Sequence, residues 1–291
     1  MGAQNLHRRR PRQTQERRMT GIQCAGATDV GCVREGNEDS FLILPDQGLF
    51  AIADGMGGCQ AGEVASALAI EEISAWFTQH RPFLSEIEGV RALRGAVVQA
   101  GDSVYAASLQ SCRGKMGTTV VATLVYDRRL FIACVGDSRA YLWRRQSFAQ
   151  LTRDQTMAAA LVDYGLYATD EEARRTMSPG YARALSQFVG SQYPLNVALT
   201  TVDLRRGDVL LLCSDGLTGM LTDDVIMQVL STEIDPANAC AKLIELANAA
   251  GGEDNITTIV ARFDGEDLSL PTPQDVADLK REPYVPAPNA G

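Results

Sequence analysis

Histidine is almost missing. The 291-residue chain has only two, His7 in a basic leading stretch and His80 after a helix-like segment. A zinc hydrolase built on histidine ligands, or a Ser-His-Asp triad, therefore has almost no material. The seven cysteines, at 24, 32, 59, 112, 134, 213 and 240, include no CxxC pair and mostly sit in apolar runs. That is the pattern of buried free thiols, not of a zinc site or a disulfide framework. No run of about 18 apolar residues occurs, so no membrane-spanning helix is expected. The first twenty residues lack the apolar middle of a signal peptide, which predicts a cytoplasmic protein. A net charge of −9 and the lack of an aromatic-basic surface argue against nucleic acid as a partner. Any metal chemistry must use oxygen ligands, which selects magnesium or manganese over zinc.

What is present is an ordered series of apolar runs that end in acids. Leu49-Phe50-Ala51-Ile52-Ala53 leads into Asp54-Gly55-Met56-Gly57-Gly58. Comparable junctions are Cys134-Val135-Gly136-Asp137-Ser138, Leu211-Leu212-Cys213-Ser214-Asp215-Gly216, and Glu253-Asp254-Asn255 before Ile256. Short apolar runs closed by glycine read as strands with turns or close backbone approaches at their ends. Strands are expected at 22–28, 41–44, 49–53, 118–125, 130–135, 209–213 and 256–263, with another beginning at 141–143. Helices are expected at 61–77, 87–109, 223–230 and 236–249. In the second of these, Val90, Leu93, Val97, Ala100 and Val104 recur at three- and four-residue steps and give one apolar face. The connections are too short for crossover helices, so the strands should pair antiparallel, and helices covering such sheets give an α+β fold.

The ends and one insertion differ in composition. Residues 1–20 carry Arg8, Arg9, Arg10, Arg12, Arg17 and Arg18 and read as a disordered arm. Residues 152–190 are polar, with Thr169-Asp170-Glu171-Glu172 resembling a helix cap, and read as a small helical insertion, a flap. The 264–291 tail is acidic and proline-rich and is expected to be mostly extended or disordered.

Neighbouring strands lie about 4.8 Å apart. The ends of several strands can therefore bring Glu38, Asp39, Asp54, Asp137, Asp215 and Asp254 within reach of two ions roughly 3.5–4 Å apart. Without cations such a cluster repels itself and raises its own pKa values. Arg34 precedes Glu38 by four residues, so one loop can hold both a phosphate clamp and a metal ligand. Any single Asp-Gly pair reads equally well as a turn.

Taken in order, several stretches resemble the metal-dependent protein Ser/Thr phosphatases of the PPM (PP2C-like) family, compact bacterial type. They are Gly31-Cys32-Val33-Arg34-Glu35-Gly36-Asn37-Glu38-Asp39-Ser40, Ala53-Asp54-Gly55-Met56-Gly57-Gly58, Gly117-Thr118-Thr119, Val135-Gly136-Asp137-Ser138-Arg139, Ser214-Asp215-Gly216-Leu217-Thr218 and Asp254-Asn255-Ile256-Thr257. The resemblance spans about residues 22–263. It implies an αββα sandwich of two mainly antiparallel sheets flanked by helix pairs, in a phosphatase domain over 21–263. It also implies two Mn²⁺ or Mg²⁺ ions and a weaker third. Asp54 then bridges two metals and Gly55 offers its carbonyl. Glu38, Asp215 and Asp254 complete the ligand set of the second metal, and Asp137 with Asp215 holds the third ion. Asp39 orients water, Arg34 binds substrate phosphate, and Asn255 supports Asp254.

The implied reaction is direct hydrolysis of phosphoserine and phosphothreonine by a metal-activated water, opposing bacterial Ser/Thr kinases. No phosphoenzyme is needed, so Ser40 and Ser138 are structural. Phosphorylated proteins, a kinase or its substrates among them, are the implied partners, and a monomer is the default. Two positions depart from the pattern: Met56 replaces the histidine of some members, and Cys59 stands where relatives often carry histidine. Two other readings fit the same chain: a catalytically weak phosphoprotein-binding module of this fold, and a two-metal phosphodiesterase.

Overall fold

In chain order the first elements are strands β1 (Ile22–Asp29), β2 (Asp39–Leu44) and β3 (Leu49–Gly57). Gly48, at φ 62°, closes the turn between β2 and β3 in a conformation that favours glycine. Helices α1 (Ala61–His80) and α2 (Glu86–Gln110) follow, then β4 (Met116–Thr118), β5 (Val120–Tyr126), β6 (Arg129–Val135), β7 (Arg139–Arg144) and β8 (Ser147–Gln150). The flap contributes α3 (Met157–Asp163), α4 (Asp170–Thr176) and α5 (Pro179–Arg183). Beyond it come β9 (Ala198–Asp203), β10 (Asp208–Cys213), α6 (Asp215–Thr218), α7 (Asp223–Thr232), α8 (Pro236–Ala249), β11 (Ile256–Phe263), α9 (Pro273–Ala277) and β12 (Glu282–Pro283). This computed structural model describes residues 21–57, 61–81, 83, 85–110 and 116–283. The basic arm at 1–20, Cys59, Cys112 and the last eight tail residues lie outside the described residues.

The strands form two sheets, ordered β1-β11-β10-β7-β8 and β12-β9-β6-β5-β3-β2, with β4 attached to β3. Every named pairing is antiparallel, as the short connections require. Side-chain alternation sorts the core into three layers. Leu49, Ala51 and Ala53 of β3 face α1 and α2, while Phe50 and Ile52 point between the sheets. On the other sheet, Leu210 and Leu212 of β10 enter the inter-sheet core, and Val209, Leu211 and Cys213 pack under α7 and α8. Strands buried on both faces read as unbroken apolar runs, which is why these were legible. The stripe Val90, Leu93, Val97, Ala100, Val104 of α2 is buried as its spacing predicts. Each such aliphatic side chain stabilises by about 1.5–3 kcal/mol when fully buried. The result is the expected αββα sandwich.

The flap helices share a small core of Ala158, Ala173 and Ala182. Thr169 caps α4, its side chain accepting from Glu172 N at 3.2 Å.

The tail corrects its expectation. Residues 264–283 are not a loose extension; they cross the open end of the sandwich as a strap. Leu268 is 2% exposed in the inter-sheet core, and Leu279 packs beside it. A capping box between Thr272 and Asp275 starts α9, and Glu282 pairs with Thr201 of β9. Arg205 holds Asp275 at 2.9 Å, and the buried Arg144, paired with Asp208 at 2.7 Å, donates to the Asp275 carbonyl at 3.2 Å. Composition averages over the prolines and acids. Two apolar anchors and one cap were enough to order the segment.

Candidate active site

One end of the sandwich gathers the acids. The hairpin register sets Asp39 of β2 opposite Asp54 of β3. Gly55 N donates to the Glu38 carbonyl at 3.0 Å, extending that pairing toward the loop. Asp54 is fixed through its backbone. Its carbonyl accepts from Thr118 Oγ1 and from Thr119 N, both at 2.8 Å, and its N–H donates to Thr119 Oγ1 at 3.0 Å. Thr119 Oγ1 lies 2.7 Å from Ser138 Oγ. Ser138 thus braces the strand end, the structural role the sequence assigns it.

Small residues make room for the cluster. A Cβ on Gly216 would lie 2.0 Å from the Asn255 carbonyl, and one on Gly62 would lie 2.6 Å from the Glu38 carboxyl carbon. Glycine at these positions lets α6 approach the 254–255 loop and lets the first turn of α1 approach Glu38.

Ser214 joins two strand ends. It accepts from Thr257 N at 3.0 Å through Oγ and donates from Oγ to Asp39 Oδ2 at 2.8 Å. Asp215 follows directly, at the start of α6. Asn255, 4% exposed, brackets the loop before Glu38. Its Oδ1 accepts from Glu38 N at 2.8 Å, and its Nδ2 donates to Val30 O and Gly36 O, both at 2.9 Å. Asn255 N donates to Asp254 Oδ1 at 2.8 Å, so it also orients the preceding aspartate. Arg34 reaches across the same loop and donates to Asp254 Oδ2 at 2.6 Å.

The electrostatics of this end are those of crowded acids. Burial pushes Asp39 up to about 7, and the Asp215 charge adds to the effect. Asp137 is pushed up to about 7 by burial, then by Asp215 and Asp154. Asp54 lies well above the carboxylate range, through burial and then the charges of Asp39, Asp215, Asp137 and Asp254. Burial and Asp254 raise Asp215, whose carboxyl hydrogen-bonds that of Asp54. Burial also raises Glu38, against the pull of Arg34. The sequence-predicted residues Arg34, Glu38, Asp39, Asp54, Gly55, Asp137, Asp215, Asp254 and Asn255 are therefore neighbours through bonds or mutual charge.

Among the described residues no three His, Cys, Asp or Glu side chains form a ready-made metal cage. The donors are engaged with one another instead, Asp215 with Asp54 and Asp254 with Arg34. Their chemistry nevertheless fits hard divalent cations. All are oxygen donors, and Asp39 Oδ1 is buried without a hydrogen-bond partner.

Ser214, Thr119 and Arg183 join the site with no local sequence signal to mark them. Arg183, at the end of α5, acts on Asp215 from the flap. Ser214 and Thr119 stand inside stretches that were read for their neighbours, and their hydroxyls work only through contacts between distant strands. Gln155 ties the flap to the Asp137 loop, with Gly136 N donating to Gln155 Oε1 and Gln155 N donating to Gly136 O, both at 2.9 Å.

Residues 33–249 match the family described as Protein phosphatase 2C. Serine/threonine protein phosphatase PstP of Mycobacterium tuberculosis is 37% identical over 246 residues, which cover 82% of this chain and 45% of PstP. The chain thus spans about half the length of that relative. Protein phosphatase PhpP of Streptococcus pneumoniae is 32% identical over 82% of this chain and 97% of its own. The crystal structure of PstP/Ppp superposes with a TM-score of 0.74 at 35% identity, covering 84% of this chain and 99% of that one. A structure of the PstP catalytic domain, described as a complex with 2 manganese ions, has a TM-score of 0.70 at 35% identity over 83% of this chain and 97% of its own. The chain belongs to the PPM (PP2C-like) family of metal-dependent Ser/Thr phosphatases, bacterial type.

Proposed function

We infer that this chain hydrolyses phosphoserine and phosphothreonine in proteins and so opposes Ser/Thr kinases. The observation that carries the reading is the meeting of Asp39, Asp54, Asp137, Asp215 and Asp254 at one sandwich end, with Arg34 at its rim. Glu38, Asp54, the Gly55 carbonyl, Asp215 and Asp254 would hold two divalent ions of the manganese or magnesium class, which would supply water activation and charge neutralisation at phosphorus. Asp137 and Asp215 would hold a third, weaker ion.

The chain's own residues do the rest. Arg34 swings from Asp254 to the equatorial phosphate oxygens, which its planar fork matches. Asp39, held by Ser214, orients water and accepts its proton at Oδ1. Asn255 keeps the Arg34–Glu38 loop in register. Among the described residues no helix is long and apolar enough to cross a membrane.

The test is release of phosphate from defined Ser, Thr and Tyr phosphopeptides with each metal. The expected result is metal-dependent activity on the Ser and Thr peptides. Asp54→Asn should lose at least ~100-fold, since roughly 2–4 kcal/mol of electrostatic placement disappears. Full activity in metal-stripped protein would reject the reading.

A further inference from the structure

A polar cavity of about 290 Å³ opens between the flap and the strap. Its walls come from three parts of the fold. Arg139 precedes the flap, Arg153, Asp154, Asp170 and Arg174 belong to it, and Arg281 comes from the strap. The charges of both Arg139 and Asp154 act on Asp137, which places the cavity next to the proposed third-ion residue.

Four guanidinium groups here face two carboxylates, and the carboxylates are spoken for. Asp154 Oδ1 accepts from Arg139 Nε at 2.9 Å and from Gln150 Nε2 at 2.8 Å, and its Oδ2 accepts from Arg139 Nη2 at 2.7 Å. Arg139 is completed by Nη1 donating to Tyr141 Oη at 2.8 Å. Both Asp170 oxygens accept from Arg153, which also reaches Asp163 at 3.1 Å. Arg174 has only a 3.7 Å approach to the already satisfied Asp154. Arg281 is exposed and makes no hydrogen bond or ion pair among the described residues. Arg174 and Arg281 therefore have no carboxylate at hydrogen-bond distance among the described residues, and they face one cavity from the flap and from the strap.

We propose that this cavity is a second oxyanion site that takes a phosphoryl group between Arg174 and Arg281. A phosphate dianion matches these two cations, and its oxygens suit paired planar forks. The group comes either from inorganic phosphate or from a second phosphoresidue on a multiply phosphorylated substrate. The latter source rests on the phosphatase reading above. Arg281 lies beyond residues 33–249, the segment matched to the family, so one of the two phosphate ligands comes from this chain's strap and the other from the shared domain.

Calorimetric titration of inorganic phosphate into the full chain carrying Arg34→Ala reads this cavity without the proposed first phosphate ligand. One saturable phosphate per chain is expected. Adding Arg281→Glu or Arg174→Glu should weaken it by about tenfold or more, as loss of a charge-assisted contact requires. Both positions are exposed, and circular dichroism checks that the variants fold. Absence of saturable binding, or binding indifferent to both charge reversals, overturns the proposal.

The source is read in the otherwise unaltered chain, on a peptide with one phosphoserine and its doubly phosphorylated counterpart. A lower KM for the second peptide that Arg281→Glu abolishes, with turnover of the first unchanged, assigns the site to substrate. Equal KM values alongside phosphate binding assign it to free phosphate. Failure to hydrolyse either peptide would count against the activity and not against the site, because the calorimetry needs no turnover.

Discussion

Arg34 and Asp254, 220 residues apart in the chain, meet at 2.6 Å at the rim of the acidic cluster. Their side chains keep 48% and 36% exposure, so the pair adds only about 0–1 kcal/mol to stability. Its meaning is positional: it stores the guanidinium proposed to bind phosphate beside the site. Arg34→Ala is expected to leave the melting temperature nearly unchanged and to lower kcat/KM on phosphopeptides by about 10–100-fold, the range of a charged hydrogen bond. Steady-state kinetics beside a thermal melt checks both halves.

Asn255 is the opposite case, buried and fully used. Asn255→Ala leaves Glu38 N, Val30 O and Gly36 O without partners. A stability loss of about 2–4 kcal/mol is expected, along with weaker metal binding as the loop carrying Glu38 loosens. Urea unfolding and metal titration measure the two effects. Asn255→Asp should recover neither, because it lacks the donating amide.

Gly62→Ala introduces a Cβ 2.6 Å from the Glu38 carboxyl carbon. The carboxylate must move, while helix propensity in α1 improves slightly. The expected outcome is a folded protein whose metal affinity falls about tenfold or more, read by titration. An unchanged affinity would remove Glu38 from the ligand set.

The raised carboxylates make the metal-free protein's stability depend on pH. Asp39 and Asp137 sit at about 7 in the folded chain, against roughly 4 when unfolded. Between those values the folded state binds more protons than the unfolded one. Their contribution is therefore full below about pH 4 and is lost as pH rises through 7. Asp170 and Asp275, held below the usual range by Arg153 and Arg205, act the other way, but only as pH falls toward and below 4. Denaturant unfolding of stripped protein should show stability falling from pH 5 to 8. Added Mn²⁺ should restore it at the upper end by binding the folded state alone.

The strap is held by the Arg144–Asp208 pair, with exposures of 5% and 0%. Burial raises the Asp208 carboxyl while the Arg144 hydrogen bond opposes that shift. Asp208→Ala leaves a buried guanidinium uncompensated and should cost about 3–5 kcal/mol. Limited proteolysis should then cut within the strap first.

Legibility followed periodicity. Strands β3, β10 and β11 and helices α1, α2, α7 and α8 bury whole faces, and their apolar spacing announces it. Strand β9, with Thr200 and Thr201 at its centre, and the four-residue β8 carry little apolar signal and passed unread. The strap was obscured because its anchors, Leu268 and Leu279, are isolated among acids and prolines. In the site, acids at strand ends were visible as residues. The hydroxyls that hold them, on Thr119 and Ser214, act between strands far apart in sequence, and no local pattern marks them.

Whether these carboxylates share divalent ions decides the chemistry of the site. Mn²⁺ titration of stripped protein, followed by calorimetry with electron paramagnetic resonance, measures that directly. Two tightly bound ions per chain, with magnetic coupling that disappears in Asp54→Asn, are predicted. Binding of a single isolated ion, or occupancy and coupling unaltered in Asp54→Asn, would contradict it.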